Sequence, residues 1–177
     1  MGALPDLRVV LSGSLRDSRV RVRPATSRDA GSLARLRYAF RADFDPTIES
    51  ELEFLPRCQA WMAARLSSSG LWHCWVAESA QHLVGMVWLQ LIEKLPNPVE
   101  ESEWHGYVSS LYVDPAWRSV GLGSALLNDC LKECAAREVD AVILWPTPRS
   151  RTLYERHGFA VRDDLMEKRS PPAVTPP

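Results

Sequence analysis

The chain has 177 residues, 46% of them hydrophobic, with 21 Lys and Arg against 22 Asp and Glu. That length supports one substantial core, and a formal net charge of −1 excludes nucleic-acid binding through a broadly basic surface. No apolar run approaches the ~20 residues that span a bilayer, and Cys58, Cys74, Cys130 and Cys134 show neither zinc-ribbon nor Cys-x-x-Cys spacing, so the expectation is a cytoplasmic protein with reduced thiols, no metal and no membrane association.

Residues 1–18 lack sustained periodicity and read as an extension of uncertain order, with Leu7 to Leu11 open as an edge strand. Arg19 to Arg23 alternates as a half-buried strand does, and Pro24 ends it. Thr26 and Asp29 then resemble a capping box, and Leu33, Leu36 and Phe40 share one face of a helix from about Arg28 to Ala42. In the next helical region Pro56 either kinks a longer helix or sits in the first turn of a shorter one ending near Ser67. Trp72 to Glu78 and Leu83 to Ile92 read as a hairpin, and a Pro- and Glu-rich loop follows.

From Tyr107 to Val113 the β-branched and aromatic residues predict a strand, which Asp114-Pro115 ends because proline removes a ladder donor and restricts the residue before it. A turn containing Gly121 and Gly123 leads into a helix over Ser124 to Arg137. Free amides at a helix N-terminus attract anions, phosphate above all, and Arg118 adds a cation. On local chemistry alone, a turn that uses glycine only for its shape stands beside this reading. Ala141 to Trp145 is apolar throughout, as in a buried central strand, before Pro146 and Pro148 turn the chain away. Ser150 to His157 predicts a short helix stopped at Gly158, Phe159 to Val161 a return to the sheet, and residues 170–177 a Pro-rich disordered tail.

Arg118-Ser119-Val120-Gly121-Leu122-Gly123 resembles the Arg/Gln-x-x-Gly-x-Gly/Ala loop of the GCN5-related N-acetyltransferases, the GNAT superfamily. Leu111 to Pro115, this loop, and Leu153 to Phe159 follow the family's order. The resemblance implies an α/β (α+β) GNAT fold over residues 19–169, with a mixed central sheet of about six or seven strands, about four helices, and strands 4 and 5 splayed apart. It implies transfer of an acetyl group from acetyl-CoA to a primary amine by direct attack. In such a site Leu111, Tyr112 and Val113 pair with pantetheine, and Arg118, Ser119, Val120, Gly121, Leu122, Gly123 and Ser124 hold the pyrophosphate. Thr147, standing where many members have asparagine, and Arg151 meet the cofactor. Tyr154 is the acid for the departing thiolate.

The glutamate that often serves as general base in the family corresponds to about Tyr107, and Glu103 or His105 just upstream, or Glu93 at the end of the third strand, are the candidates for that role, acting through water. Acid-rich segments from Asp43 to Glu53 and from Glu93 to Glu103 raise the expectation of a cationic acceptor: a polyamine, an aminoglycoside-like amine or a peptide N-terminus. A homodimer is common in the family. The missing asparagine and the unassigned base keep a second reading open, a non-catalytic acyl-CoA-binding or sensing module.

Overall fold

A computed structural model describes residues 20–43, 49–68, 70–80 and 82–168. The chain divides into a larger unit that ends at Trp145 and a smaller one that starts at Pro146. The larger unit contains β1 (Val20–Pro24), α1 (Ala30–Ala42), α2 (Glu51–Ser67), β2 (Trp72–Ser79), β3 (His82–Glu93), β4 (Trp104–Val113), α3 (Leu122–Ala136) and β5 (Ala141–Ile143), and the smaller contains α4 (Arg151–Arg156).

The five strands form one sheet in the order β1-β2-β3-β4-β5, antiparallel except for the parallel β4–β5 pair. Directly opposed residues share a face. Cys74, Val76, Met86, Trp88 and Tyr112 pack with Leu33, Leu36 and Met62, so this face meets α1 and α2. On the other face, a Cβ placed on Gly85 would lie 3.1 Å from Leu126 and one on Gly106 would lie 3.4 Å from Cys134, both residues of α3. Buried Val87, Leu89 and Val108 share that side with Leu127 and Cys130. The core is thus two apolar layers divided by the sheet.

The helix starts follow the sequence closely. Asp29 accepts from the Thr26 backbone N–H at 2.7 Å, and Ser50 and Glu53 close a second capping box ahead of α2. Pro56 lies inside α2, so the longer of the two expected helices is the one formed. The predicted hairpin is β2–β3, closed where Ser79 pairs with His82.

Three sheet expectations need correction. Five strands are found among the described residues rather than six or seven. Ala141 to Trp145 is not a buried central strand: β5 stops at Ile143 on the sheet edge, and Trp145 is 53% exposed, its ring set edge-on to Tyr107. Phe159 to Val161 forms no strand. Phe159 instead completes the stop of α4: its N–H donates to Tyr154 C=O at 3.1 Å, while Gly158, at φ +85°, donates to Glu155 C=O. Leu7 to Leu11 and residues 170–177 lie outside the described residues.

Candidate functional site

β4 changes partner and phase along its length. β5 pairs only with His105, Gly106 and Tyr107, so from Val108 to Val113 no strand of the described residues borders β4 on that side. This is the splay expected between strands 4 and 5. On the other side, Trp88 opposes Ser109 and Met86 opposes Tyr112, so Ser110 and Leu111 together face the single residue Val87. This is a β-bulge, with Ser110 at φ +53°. A left-handed serine costs about 1–2 kcal/mol, and Arg37 steadies it by donating from Nη1 to Ser110 Oγ at 3.0 Å. The extra residue brings Tyr112 to the α1 side, where its ring meets Phe40 at 5.8 Å.

Past Val113, Asp114 accepts from the Ala116 N–H at 2.9 Å and turns the chain. Ser119 (φ +65°) and Gly121 (φ +87°) are both left-handed, and a Cβ on Gly121 would meet nothing within 4 Å. The loop is open on that side, and glycine is required there for its backbone rather than for space. The first bond of α3 runs from Ala125 N–H to Gly121 C=O, so the amides of Leu122, Gly123 and Ser124 have no intrahelical acceptor. Successive amides in this conformation form an anion-binding concavity, into which the helix dipole adds positive potential.

Arg118 is held rather than free. Its Nε donates to Val113 C=O at 2.8 Å, its Nη2 pairs with Asp43, and its guanidinium lies 5.5 Å from the Tyr112 ring centroid. With its charge balanced by Asp43, the loop attracts anions chiefly through backbone amides.

Other acids of the two acidic segments are also engaged. Glu49 pairs with Arg57, Glu53 caps α2, and Glu101 pairs with Lys94. Glu93, Glu100 and Glu103 are exposed. His105, Tyr107 and Ser109 lie on the α1/α2 face of β4, opposite Ile92, Gln90 and Trp88. At strand spacing His105 is ~20 Å from Leu111, and Glu103 is farther still.

In the smaller unit, Thr147 and Ser150 bond each other: Thr147 N–H donates to Ser150 Oγ at 2.9 Å, and the two hydroxyls are 2.9 Å apart. The Thr147 side chain thus helps start α4. Tyr154 is 8% exposed, its ring 5.6 Å from Phe159. Arg151 is exposed.

The sequence reading missed Arg37 and the bulge. Arg37 falls four residues after Leu33, on the sheet-facing stripe, where a charged residue is the signal. Two small hydroxyl residues, Ser109 and Ser110, interrupting a β-rich run were the mark of the bulge.

Several known proteins resemble this chain. A Trypanosoma brucei brucei glucosamine 6-phosphate N-acetyltransferase is 33% identical over 61 residues, which is 34% of this chain and 42% of that protein. This chain therefore matches less than half the length of that curated relative. A predicted acetyltransferase from Clostridium acetobutylicum, solved with acetyl-CoA, superposes with TM-score 0.72 at 20% identity, over 85% of this chain and 96% of that one. A GCN5-related N-acetyltransferase from Ralstonia eutropha gives TM-score 0.70 at 27% identity, over 84% and 97%. The model of the acetyltransferase (GNAT) family matches residues 33–159, from α1 through the glycine loop to the end of α4, and on that extent the chain belongs to the acetyltransferase (GNAT) family.

Proposed function

We propose that this protein transfers an acetyl group from acetyl-CoA to a primary amine by direct attack in a ternary complex. The observation that carries the reading is β4: bordered by no strand of the described residues on one side from Val108 to Val113, it leads through a single turn at Pro115–Trp117 into the left-handed loop and the three unbonded amides of α3. Acetyl-CoA supplies an activated acetyl thioester. The amides of residues 119–124 take its pyrophosphate, and the open backbone of Leu111 to Val113 takes its pantetheine in the manner of an added strand. An amide beside the bulge, that of Tyr112 or Val113, polarises the carbonyl oxygen on which charge develops.

Tyr154 is assigned the proton that the leaving thiolate needs. A phenol of pKa ~10 opposite a thiol of ~8.5 makes a modest acid, adequate when positioned. Glu103 or His105 is assigned the amine's proton, and at ~20 Å along the strand either acts only through a file of water. An acceptor amine of α-amino type, with pKa near ~8, has a neutral fraction of roughly a tenth at pH 7 and so needs less help than an alkylamine of pKa ~10. Thr147 and Arg151 are assigned cofactor contacts. The Trypanosoma relative's substrate makes amino sugars the first acceptors to try, with peptide N-termini, polyamines and aminoglycosides beside them. The free thiols of Cys58, Cys74, Cys130 and Cys134 support a reducing, cytoplasmic setting.

The distance of both base candidates favours a second reading, an acyl-CoA-binding module without turnover. Thiol release from acetyl-CoA across these amines, with calorimetry of CoA binding, tests both. Turnover on any class supports the enzyme. Tight CoA binding with no turnover supports the module.

A further inference from the structure

Arg37 is a half-buried cation with no counter-charge among the described residues. Its Nη1 donates to Ser110 Oγ at 3.0 Å, and its guanidinium lies 5.3 Å from the Phe40 ring centroid. The charged or titratable groups acting on it are Arg41, Cys58 and Tyr107. Arg41 is a second cation, and burial pushes the Cys58 thiol up, so it stays protonated. Two other half-buried arginines of the larger unit are answered by carboxylates, Arg23 by Asp29 and Glu78 and Arg118 by Asp43, and a third, Arg65, lies over the Trp61 ring. Among the described residues none answers Arg37. Burial lowers its pKa, yet an arginine stays charged, and an unpaired charge withdrawn from water is costly.

The other guanidinium N–H groups are not sealed in. Trp88 Nε1 is the buried side-chain nitrogen without a partner among the described residues, and no Arg37 atom shares that condition. Nε and Nη2 are therefore within reach of a ligand. They lie on the α1/α2 face, at the bulge that precedes Leu111 by a single strand residue, or ~3.3 Å.

We infer that Arg37 recognises an anionic group, carboxylate or phosphate, carried by the acceptor itself, so that the acceptor is a small molecule bearing both a primary amine and an anion. This rests on the acetyltransferase reading, because it takes Leu111 to Val113 as the position of the thioester. The guanidinium offers its remaining N–H groups to two oxygens, a geometry that suits carboxylate and phosphate equally. It also narrows the acceptor: amines without an anion leave the Arg37 charge unanswered.

The test compares matched acceptors, glucosamine 6-phosphate against glucosamine for phosphate, and glycine against glycinamide for carboxylate. Kinetics are measured with wild type, Arg37→Lys and Arg37→Met, and binding of the same four compounds is measured by calorimetry. The expected result is a preference of about tenfold or more for the anionic member of one pair, lost in Arg37→Met and partly kept in Arg37→Lys, the ratio within each pair being read at saturating acetyl-CoA so that any loosening of Ser110 affects both members alike. Which pair shows it identifies the anion. Equal use of both members of each pair, or a preference that survives Arg37→Met, overturns the inference. A drop in thermal stability of Arg37→Met with no anion preference in wild type makes Arg37 a clamp on Ser110 only, and also overturns it. If no amine is acetylated, the acetyltransferase reading falls, and the binding arm still decides this one: anion-selective binding that needs Arg37 supports it, and its absence overturns it.

Discussion

Arg118 Nε donates to the Val113 carbonyl oxygen at 2.8 Å, so the first residue of the glycine loop grips the last residue of the strand that leads into it. Arg118→Lys keeps the charge and loses the planar fork that reaches Val113, Asp43 and the Tyr112 ring together. The KM for acetyl-CoA should rise about tenfold while kcat changes little, and Arg118→Met should do more. Initial rates at varied acetyl-CoA check this. An unchanged KM would show that the loop holds its shape without Arg118.

Two glycines separate backbone from packing. At Gly121, φ is +87° and no atom stands within 4 Å of an added Cβ, so Gly121→Ala should cost about 1–2 kcal/mol of backbone strain and weaken CoA binding in calorimetry. At Gly106 the added Cβ would lie 3.2 Å from Leu89 Cδ1 and 3.4 Å from Cys134 Sγ. Gly106→Ala should therefore lower the melting temperature by crowding the α3 layer, at about 1–3 kcal/mol, and leave CoA affinity as it was.

Tyr154→Phe removes the hydroxyl and keeps the ring that meets Phe159 at 5.6 Å. The fold should hold, CoA affinity should stay within about twofold, and kcat should fall roughly a hundredfold. Equal turnover by mutant and wild type would remove Tyr154 as the acid.

Asp29 links β1 to α1 through Arg23, which donates to both of its carboxylate oxygens at 2.9 Å. That hydrogen bonding holds the Asp29 carboxyl at about 2, from an ordinary 3.8. Because the folded-state value is depressed, the unfolded chain takes up the proton first, so this stabilisation is full above pH ~4 and disappears as pH falls through ~2. Solvent screening brings it to about 1 kcal/mol. Urea titrations at pH 5 and pH 2.5 should show Asp29→Asn less stable than wild type at the higher pH, with the gap closing at the lower.

Local pattern made much of the larger unit readable. The capping pairs Thr26/Asp29 and Ser50/Glu53, the β2–β3 alternation and the Asp114-Pro115 stop each act within a few residues, and each stands where the sequence places it. Apolarity misled at Ala141 to Trp145, because an edge strand also gains by covering apolar surface: Trp145 packs against Tyr107 rather than between strands. Phe159 read as a strand residue, but its hydrophobic contact and N–H are used to close α4. At the site, the glycine loop was legible because φ > 0 selects glycine. Ser110 carries the same backbone demand without the glycine, and the Arg118–Asp43 pair spans 75 positions, beyond the reach of any local periodicity.

The bulge at Ser110 and Leu111 turns β4 into a strand with two registers of side-chain direction. Before it, even-numbered positions such as Gly106 and Val108 turn toward α3; after it, even-numbered Tyr112 turns toward α1. Removing Ser110 would set Ser109, Leu111 and Tyr112 opposite Trp88, Val87 and Met86 in plain alternation, with Tyr112 still turned toward α1. A chain so edited would keep the face of each remaining β4 side chain and lose the left-handed residue and the bend from which the loop departs.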